Sequence, residues 1–285
     1  MTLSRSLQVA LVTAATACGL FAQSAALHRP APKSIRLYVI DCGTLDIADV
    51  TAYQLKKEDL ASVVMSVGCF LIVHPKGTLL WDAGVVPQSQ FKPGTPGTLR
   101  YATAPKPLRD QLAEIGYTPG VVDYLALSHF HWDHVGNANL FAGTATWLAR
   151  KAEYDVMFAD PPSPRTERNN FMGLKDSKIR FIDGDYDVFG DGSAVLKLTA
   201  GHSPAHQSLA LKLKKTGPVV LSGDLYHYPE ERKLGKIPTS EFNGEQTAKS
   251  RAALEAYLKE TGAQLWIEHD RTGFAKLKKS PEYYE

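Results

Sequence analysis

Residues 128–136 read Ser-His-Phe-His-Trp-Asp-His-Val-Gly, so three imidazoles and a carboxylate (His129, His131, Asp133 and His134) fall within six residues. Imidazole nitrogen and carboxylate oxygen belong to the ligand set that zinc prefers. The preceding Val122-Asp123-Tyr124-Leu125-Ala126-Leu127 predicts a short buried strand, and Gly136-Asn137 predicts a turn. Ligand-type side chains at the C-terminal mouth of a strand are where α/β proteins place their sites. One such cluster cannot close a metal site alone, so the fold must bring more ligands to the same place.

The chain can supply that fold. Its 285 residues are 44 % hydrophobic and 22 % charged, an ordinary soluble composition that buries a core without staples. A net charge of +2 gives no basic excess, which argues against a nucleic-acid partner. The N-terminus is different. One cation, Arg5, precedes an apolar run from Val9 to Ala22, and small residues follow at Ser24-Ala25-Ala26. This layout predicts a signal peptide over residues 1–26 and a periplasmic or secreted protein. Cys18 keeps a lipoprotein variant open. The apolar run is short for a bilayer, and nothing else in the chain predicts a stable membrane span. The remainder, 34–285, is expected to form a single domain. In an oxidising compartment Cys42 and Cys69 could be bonded to each other or stay as two buried thiols, and the sequence leaves both open.

Apolar and alternating runs predict strands at Ile35–Ile40, Ser62–Val73, Thr78–Asp82, Val122–Leu127, Thr144–Leu148, Lys178–Ile182, Ser193–Thr199, Ser208–Leu213, Val219–Ser222 and Ala263–Ile267. Helices are expected over Pro107–Ile115, Ala149–Phe158 and Gln246–Leu258, the last with Ala253, Leu254, Tyr257 and Leu258 inward. Residues 44–62 read as an exposed loop or short helix, 85–106 and 159–171 as loops, and Gly190-Asp191-Gly192 as the link between the Lys178 and Ser193 strands. Blocks of strands separated by helices, with hairpins in each half, predict an α/β protein: two mixed sheets packed together with helices outside, a four-layer αββα sandwich.

Three more ligand-type residues share the address of the opening motif. His202 follows the Ser193 strand in Gly201-His202-Ser203-Pro204-Ala205-His206, Asp224 follows Val219–Ser222, and His269 follows the last strand. Four strand ends offering His and Asp can converge on one mouth. With Asp82-Ala83-Gly84, these segments resemble the metallo-β-lactamase superfamily of metal hydrolases along nearly all of 34–285. The resemblance implies that His129, His131 and His202 hold one divalent metal and that Asp133, His134 and His269 hold a second. It also implies that Asp224 bridges them. Zinc is the default pair of ions, although iron, manganese and cobalt suit the same ligands. Asp82 and His206 are then expected to orient ligands. A water shared by two such ions loses a proton near neutral pH and can attack a carbonyl as hydroxide. The Gly-x-Ser-x-Gly elbow of serine hydrolases is absent from the sequence.

A bridging Asp rather than Cys or Ser resembles the lactonase, glyoxalase II and phosphodiesterase branches rather than the zinc β-lactamases. The segments Met65–Val73, Leu80–Gly84 and Gly223-Asp224-Leu225-Tyr226 are similar to N-acyl homoserine lactonases. That family places a substrate-contacting Tyr three positions after the bridging Asp. This chain has His227 there, between Tyr226 and Tyr228, so Tyr226 and His227 join Asp133 and Asp224 as candidate catalytic residues. The pocket is expected to be lined by loop residues including Tyr53, Phe91, Tyr101, Met157, Phe158, Phe171 and Met172, which suits an acyl chain. The expected function is a secreted quorum-quenching hydrolase of a small lactone or ester. The competing readings are a β-lactamase, a phosphodiesterase and a non-catalytic metal-binding protein. By analogy with lactonase-like relatives a homodimer is expected.

Overall fold

The computed structural model describes residues 31–163 and 166–285. The segment 1–26 read as a signal peptide lies outside them. Strand β1 (Arg36–Asp46) pairs antiparallel with β2 (Val64–His74), which turns at Pro75-Lys76 into β3 (Gly77–Trp81). A hairpin follows, β4 (Gly97–Leu99) and β5 (Ala102–Ala104), then helix α1 (Leu108–Glu114). Strand β6 (Tyr124–Ala126) leads into the His-rich segment, and β7 (Thr146–Ala149), α2 (Lys151–Met157) and β8 (Lys178–Phe181) complete the first half. The second half runs β9 (Tyr186–Asp187), β10 (Ala194–Leu198), β11 (Gln207–Leu213), β12 (Gly217–Leu221), α3 (Pro229–Leu234), α4 (Gly244–Thr261), β13 (Gln264–Trp266) and α5 (Arg271–Lys276).

The strands form two mixed sheets, ordered β4-β5-β1-β2-β3-β6-β7-β8 and β13-β12-β11-β10-β9. Period-2 alternation sorts their side chains. Along β2, Phe70 and Ile72 join Leu79, Trp81, Leu209, Leu211, Val219 and Leu221 in a core cluster shared by both sheets. The alternate residues Cys69, Leu71 and Val73 pack with Leu108, Leu112 and Phe141 on the other face. Across the smaller sheet, Ala210 and Val220 meet Leu254 and Leu258 of α4. Three apolar seams between four layers make the expected αββα sandwich.

Local differences from the sequence reading have physical causes. Asp41-Cys42-Gly43 does not end β1. The register shifts between Asp41 and Gly43, a β-bulge that absorbs these poor strand formers, and pairing continues to Asp46. Residues 85–106 hold the β4–β5 hairpin, too short to show an alternation. Gly190-Asp191-Gly192 joins β9 to β10, whereas β8 and β10 belong to different sheets. On α4 the buried stripe is Thr247, Ser250, Arg251, Leu254 and Leu258, with Tyr257 half-buried and Ala253 exposed. Polar members of that stripe are satisfied inward: Ser250 donates to the carbonyl of Ala200 and Arg251 to that of Leu225. The buried face of α4 is therefore turned away from the one its apolar residues mark. Cys42 and Cys69 are bonded, with Cα atoms 5.8 Å apart. No helix among the described residues is long and apolar enough to cross a membrane.

Candidate metal centre

The site forms where strands end. β3 runs parallel to β6, and β12 parallel to β13. Asp82, the His-rich segment, Asp224 and His269 therefore leave their sheets at one rim, joined by His202 after β10. All seven expected ligands are buried there. They fall into two groups, His129, His131, His202 and Asp224 in one and Asp133, His134 and His269 in the other, each with ligand atoms within 4.8 Å of one another.

The geometry within the groups is that of converging lone pairs. Nε2 of His129 is 2.7 Å from Nδ1 of His131 and 3.2 Å from Nε2 of His202. The two oxygens of Asp224 face different groups. Oδ2 lies 3.5 Å from His129 Nε2 and 3.3 Å from His202 Nε2. Oδ1 lies 3.1 Å from Nε2 of both His134 and His269. Asp133 Oδ2 completes the second group at 3.5 Å from each of those nitrogens. Ligands about 2.0–2.2 Å from a tetrahedral zinc sit roughly 3.3 Å from one another. His134 Nε2 and Asp224 Oδ1 are buried without a hydrogen-bond partner, an arrangement that normally costs stability. The donor set, its spacing and these two orphaned atoms all fit a divalent metal in each group.

Surrounding residues fix which nitrogen faces the centre. Asp82, held at φ 57°, accepts from His134 Nδ1 at 2.8 Å. It also takes the backbone N–H and hydroxyl of Ser128, whose oxygen lies 3.0 Å from His129 Nδ1. His202 Nδ1 meets Glu241 at 2.9 Å, and His269 Nδ1 meets the carbonyl of Ser66 at 2.7 Å. With hydrogen on Nδ1, each of these four rings offers Nε2 inward. His206 Nε2 accepts the backbone N–H of Asp224 at 2.9 Å. Gly223, at φ 53°, makes this approach feasible, since a Cβ there would lie 2.6 Å from His206 Nε2.

Electrostatics follow from burial and crowding. Burial pulls His134 toward neutrality, but Asp224, Asp133 and Asp82 outweigh it and hold its pKa well above the imidazole range. Burial and the neighbouring His134 and His131 push His129 well below that range. Asp133, despite burial, is held down at about 2 by His134 and His269. Asp224 is likewise held well below the carboxylate range, because His134, His269, His129 and His227 overcome its desolvation.

The cavity over the site, about 370 Å³, is walled by Leu45, Ile47, Tyr53, Met65, Arg100, Tyr101 and Trp132, with His227 beside Asp224. Tyr53 and Tyr101 stand where expected, but Phe91, Met157, Phe158, Phe171 and Met172 do not line it. Met157 and Phe171 are buried in the helix-side core instead. Of the aromatic trio, only His227 reaches the cavity. Tyr226 turns away, its hydroxyl on Glu255 and its ring under Arg251, so its expected catalytic placement does not hold. Tyr228 donates to the carbonyl of Val63. The sequence reading missed Glu241, which stands in an irregular loop with no motif. It also missed Glu268, whose carboxylate accepts from Trp81 and from the N–H of Gly223. Adjacency to His269 was the one signal for Glu268.

The two-sheet sandwich and its rim of His and Asp define a metal-hydrolase class of fold, and the sequence profile of the Metallo-beta-lactamase superfamily matches residues 63–262. The chain belongs to that superfamily. It is 30 % identical over 266 residues, 88 % of this chain and 99 % of the relative, to the N-acyl homoserine lactonase AttM of Azorhizobium caulinodans. It is 27 % identical over 77 % of its length to N-acyl homoserine lactonase AiiA of Bacillus thuringiensis subsp. kurstaki, covering 87 % of that protein. A solved N-acyl homoserine lactone hydrolase, with the product N-hexanoyl-L-homoserine at its catalytic metal centre, superposes with a TM-score of 0.70 at 26 % identity, covering 87 % of this chain and 98 % of that one.

Proposed function

We propose that this protein is an exported, dinuclear metal-dependent hydrolase that opens lactone rings, with N-acyl homoserine lactones as the first substrates to test. The observation that carries this reading is the split of Asp224, one carboxylate oxygen toward each buried ligand group. Divalent ions held there supply a nucleophilic water near neutral pH and a Lewis acid for the carbonyl oxygen. The chain's own residues bind and orient the substrate. Leu45, Ile47 and Met65 offer apolar wall to an acyl arm, while Arg100 and Trp132 stand at the same cavity. His227 presents its ring beside Asp224 in the position where the resembling lactonases carry Tyr, and is assigned the contact to the reacting lactone oxygens. Relatives named as lactonases support the substrate class. The N-terminal signal pattern and the Cys42–Cys69 bond suit an oxidising compartment.

The test is a parallel hydrolysis panel of short- and long-chain N-acyl homoserine lactones, an aryl ester, a thioester and a β-lactam, using zinc-loaded protein. Lactones should have the highest kcat/KM. Preferential turnover of the β-lactam, or no turnover of any lactone, sinks the reading.

A further inference from the structure

Helix α3 and helix α4 bury an ion pair directly behind His227. Glu231 is fully buried, and its Oε2 accepts from Arg251 at 2.6 Å. Arg251 is itself fixed: Nε donates to the carbonyl of Leu225 at 2.7 Å, Nη1 to that of Lys236, and the guanidinium lies 4.2 Å over the Tyr226 ring. A buried charge pair of this kind contributes little net stability over apolar residues of similar size, so its retention calls for another explanation. The other oxygen, Oε1, supplies one. It takes the backbone N–H of His227 at 3.3 Å and sits 3.2 Å from His227 Nδ1, an ion-pair contact outside hydrogen-bond alignment.

The ring of His227 is enclosed on its remaining sides. It stacks on His269 with centroids 5.9 Å apart and meets His202 and Tyr53 edge-on at 4.9 Å each. Its Nε2 lies 3.3 Å from Asp224 Oδ2 at the cavity. A ring flip would exchange Nδ1 for carbon against Glu231 and turn Nε2 away from the cavity. We propose that Glu231, clamped by Arg251, is the positioning residue that sets His227 with Nε2 toward the substrate's reacting oxygens. A tyrosine at this place would carry its hydroxyl on a symmetric ring and need no such carboxylate. An asymmetric imidazole does. The inference rests on the reading that His227 contacts the lactone.

A double-mutant cycle tests it in zinc-loaded protein with a lactone substrate. His227→Phe is expected to lower kcat at least about 100-fold. Glu231→Gln should lower kcat at least about tenfold while KM changes less than about threefold and metal content stays at the wild-type value. In the His227→Phe background, Glu231→Gln should add less than about a twofold loss. An equal loss in both backgrounds means that Glu231 acts through the scaffold and overturns the proposal. Full activity of Glu231→Gln overturns it too, while a deficient His227→Phe would leave the substrate-contact reading standing. An unimpaired His227→Phe removes both. If Glu231→Gln does not fold, the paired Glu231→Gln/Arg251→Leu variant leaves no unmatched buried charge and is judged by the same cycle.

Discussion

His206 Nε2 accepts the backbone N–H of Asp224 at 2.9 Å, while its Nδ1 lies 2.9 Å from the hydroxyl of Thr199. The ring thus holds from below the one carboxylate that faces both ligand groups. His206→Ala leaves that N–H buried without an acceptor and frees the Asp224 backbone. Metal affinity should fall about 10–100-fold, read by competition with a chromophoric chelator, with the fold retained by circular dichroism.

Asp224→Ala removes an oxygen from each ligand group. Lactone hydrolysis should be lost and metal content should drop below that of the wild-type protein, with the far-ultraviolet spectrum unchanged. Wild-type activity in this variant contradicts the bridging role.

Metal removal should cost stability as well as activity, because the ligands leave both sheets and an ion ties them together. The sign with pH follows from His134, whose raised pKa lets the metal-free protein hold a proton there. That contribution is present below the unfolded imidazole pKa and is lost as pH rises through the folded one. Metal must displace this proton, so metal affinity should rise with pH. The gap in Tm between zinc-loaded and chelated protein should widen from pH 5.5 to 8.5. A gap that narrows over this range contradicts the assignment.

Glu153 of α2 accepts from the hydroxyl of Ser203 and from the N–H of Ala205, so it ties down the loop that carries His202. Burial pushes its carboxyl up to about 7 against these bonds. A carboxyl raised in the folded state contributes stability at low pH that is lost as pH rises through about 7. Glu153→Gln should therefore raise stability at pH 8 by on the order of 1–3 kcal/mol and have little effect near pH 5. Thermal melts at the two pH values check it.

Arg100 sits at the tip of the β4–β5 hairpin at φ 55°, paired with Glu167 and 5.1 Å over the ring of Trp132. A two-residue hairpin loop requires that backbone geometry at its first position, and here it carries the guanidinium to the cavity wall, in reach of a bound substrate. Arg100→Ala should raise KM for acyl lactones several-fold with kcat within about twofold, as expected for loss of uniform binding.

The ligand set was legible because each member follows a strong apolar strand, and strand ends are where open sheets gather their sites. The supporting shell was legible only where it lay inside a motif, as with Asp82 and His206. Glu241 and Glu231 escaped because a loop and a six-residue helix carry no periodicity to place them. Tyr226 was misplaced for a related reason. The backbone becomes extended at Tyr226, after the 3-10 turn that carries Asp224, and adjacent residues of an extended chain point to opposite sides, so His227 faces the cavity and Tyr226 faces α4. The β4–β5 hairpin, at three residues per strand, is below the length at which alternation is readable.

Most of the cavity wall comes from a different stretch of the chain than the ligands. Leu45, Ile47, Tyr53, Met65, Arg100 and Tyr101 precede residue 105, whereas Trp132, His227, Ser240 and every residue of the two ligand groups lie at or beyond His129. Asp82 and Ser66, which hold His134 and His269, belong to the first passage as well. Exchange of the short segments around Tyr53 and Arg100, by recombination or in the laboratory, would therefore alter what the cavity admits while the centre and its supports are inherited unchanged.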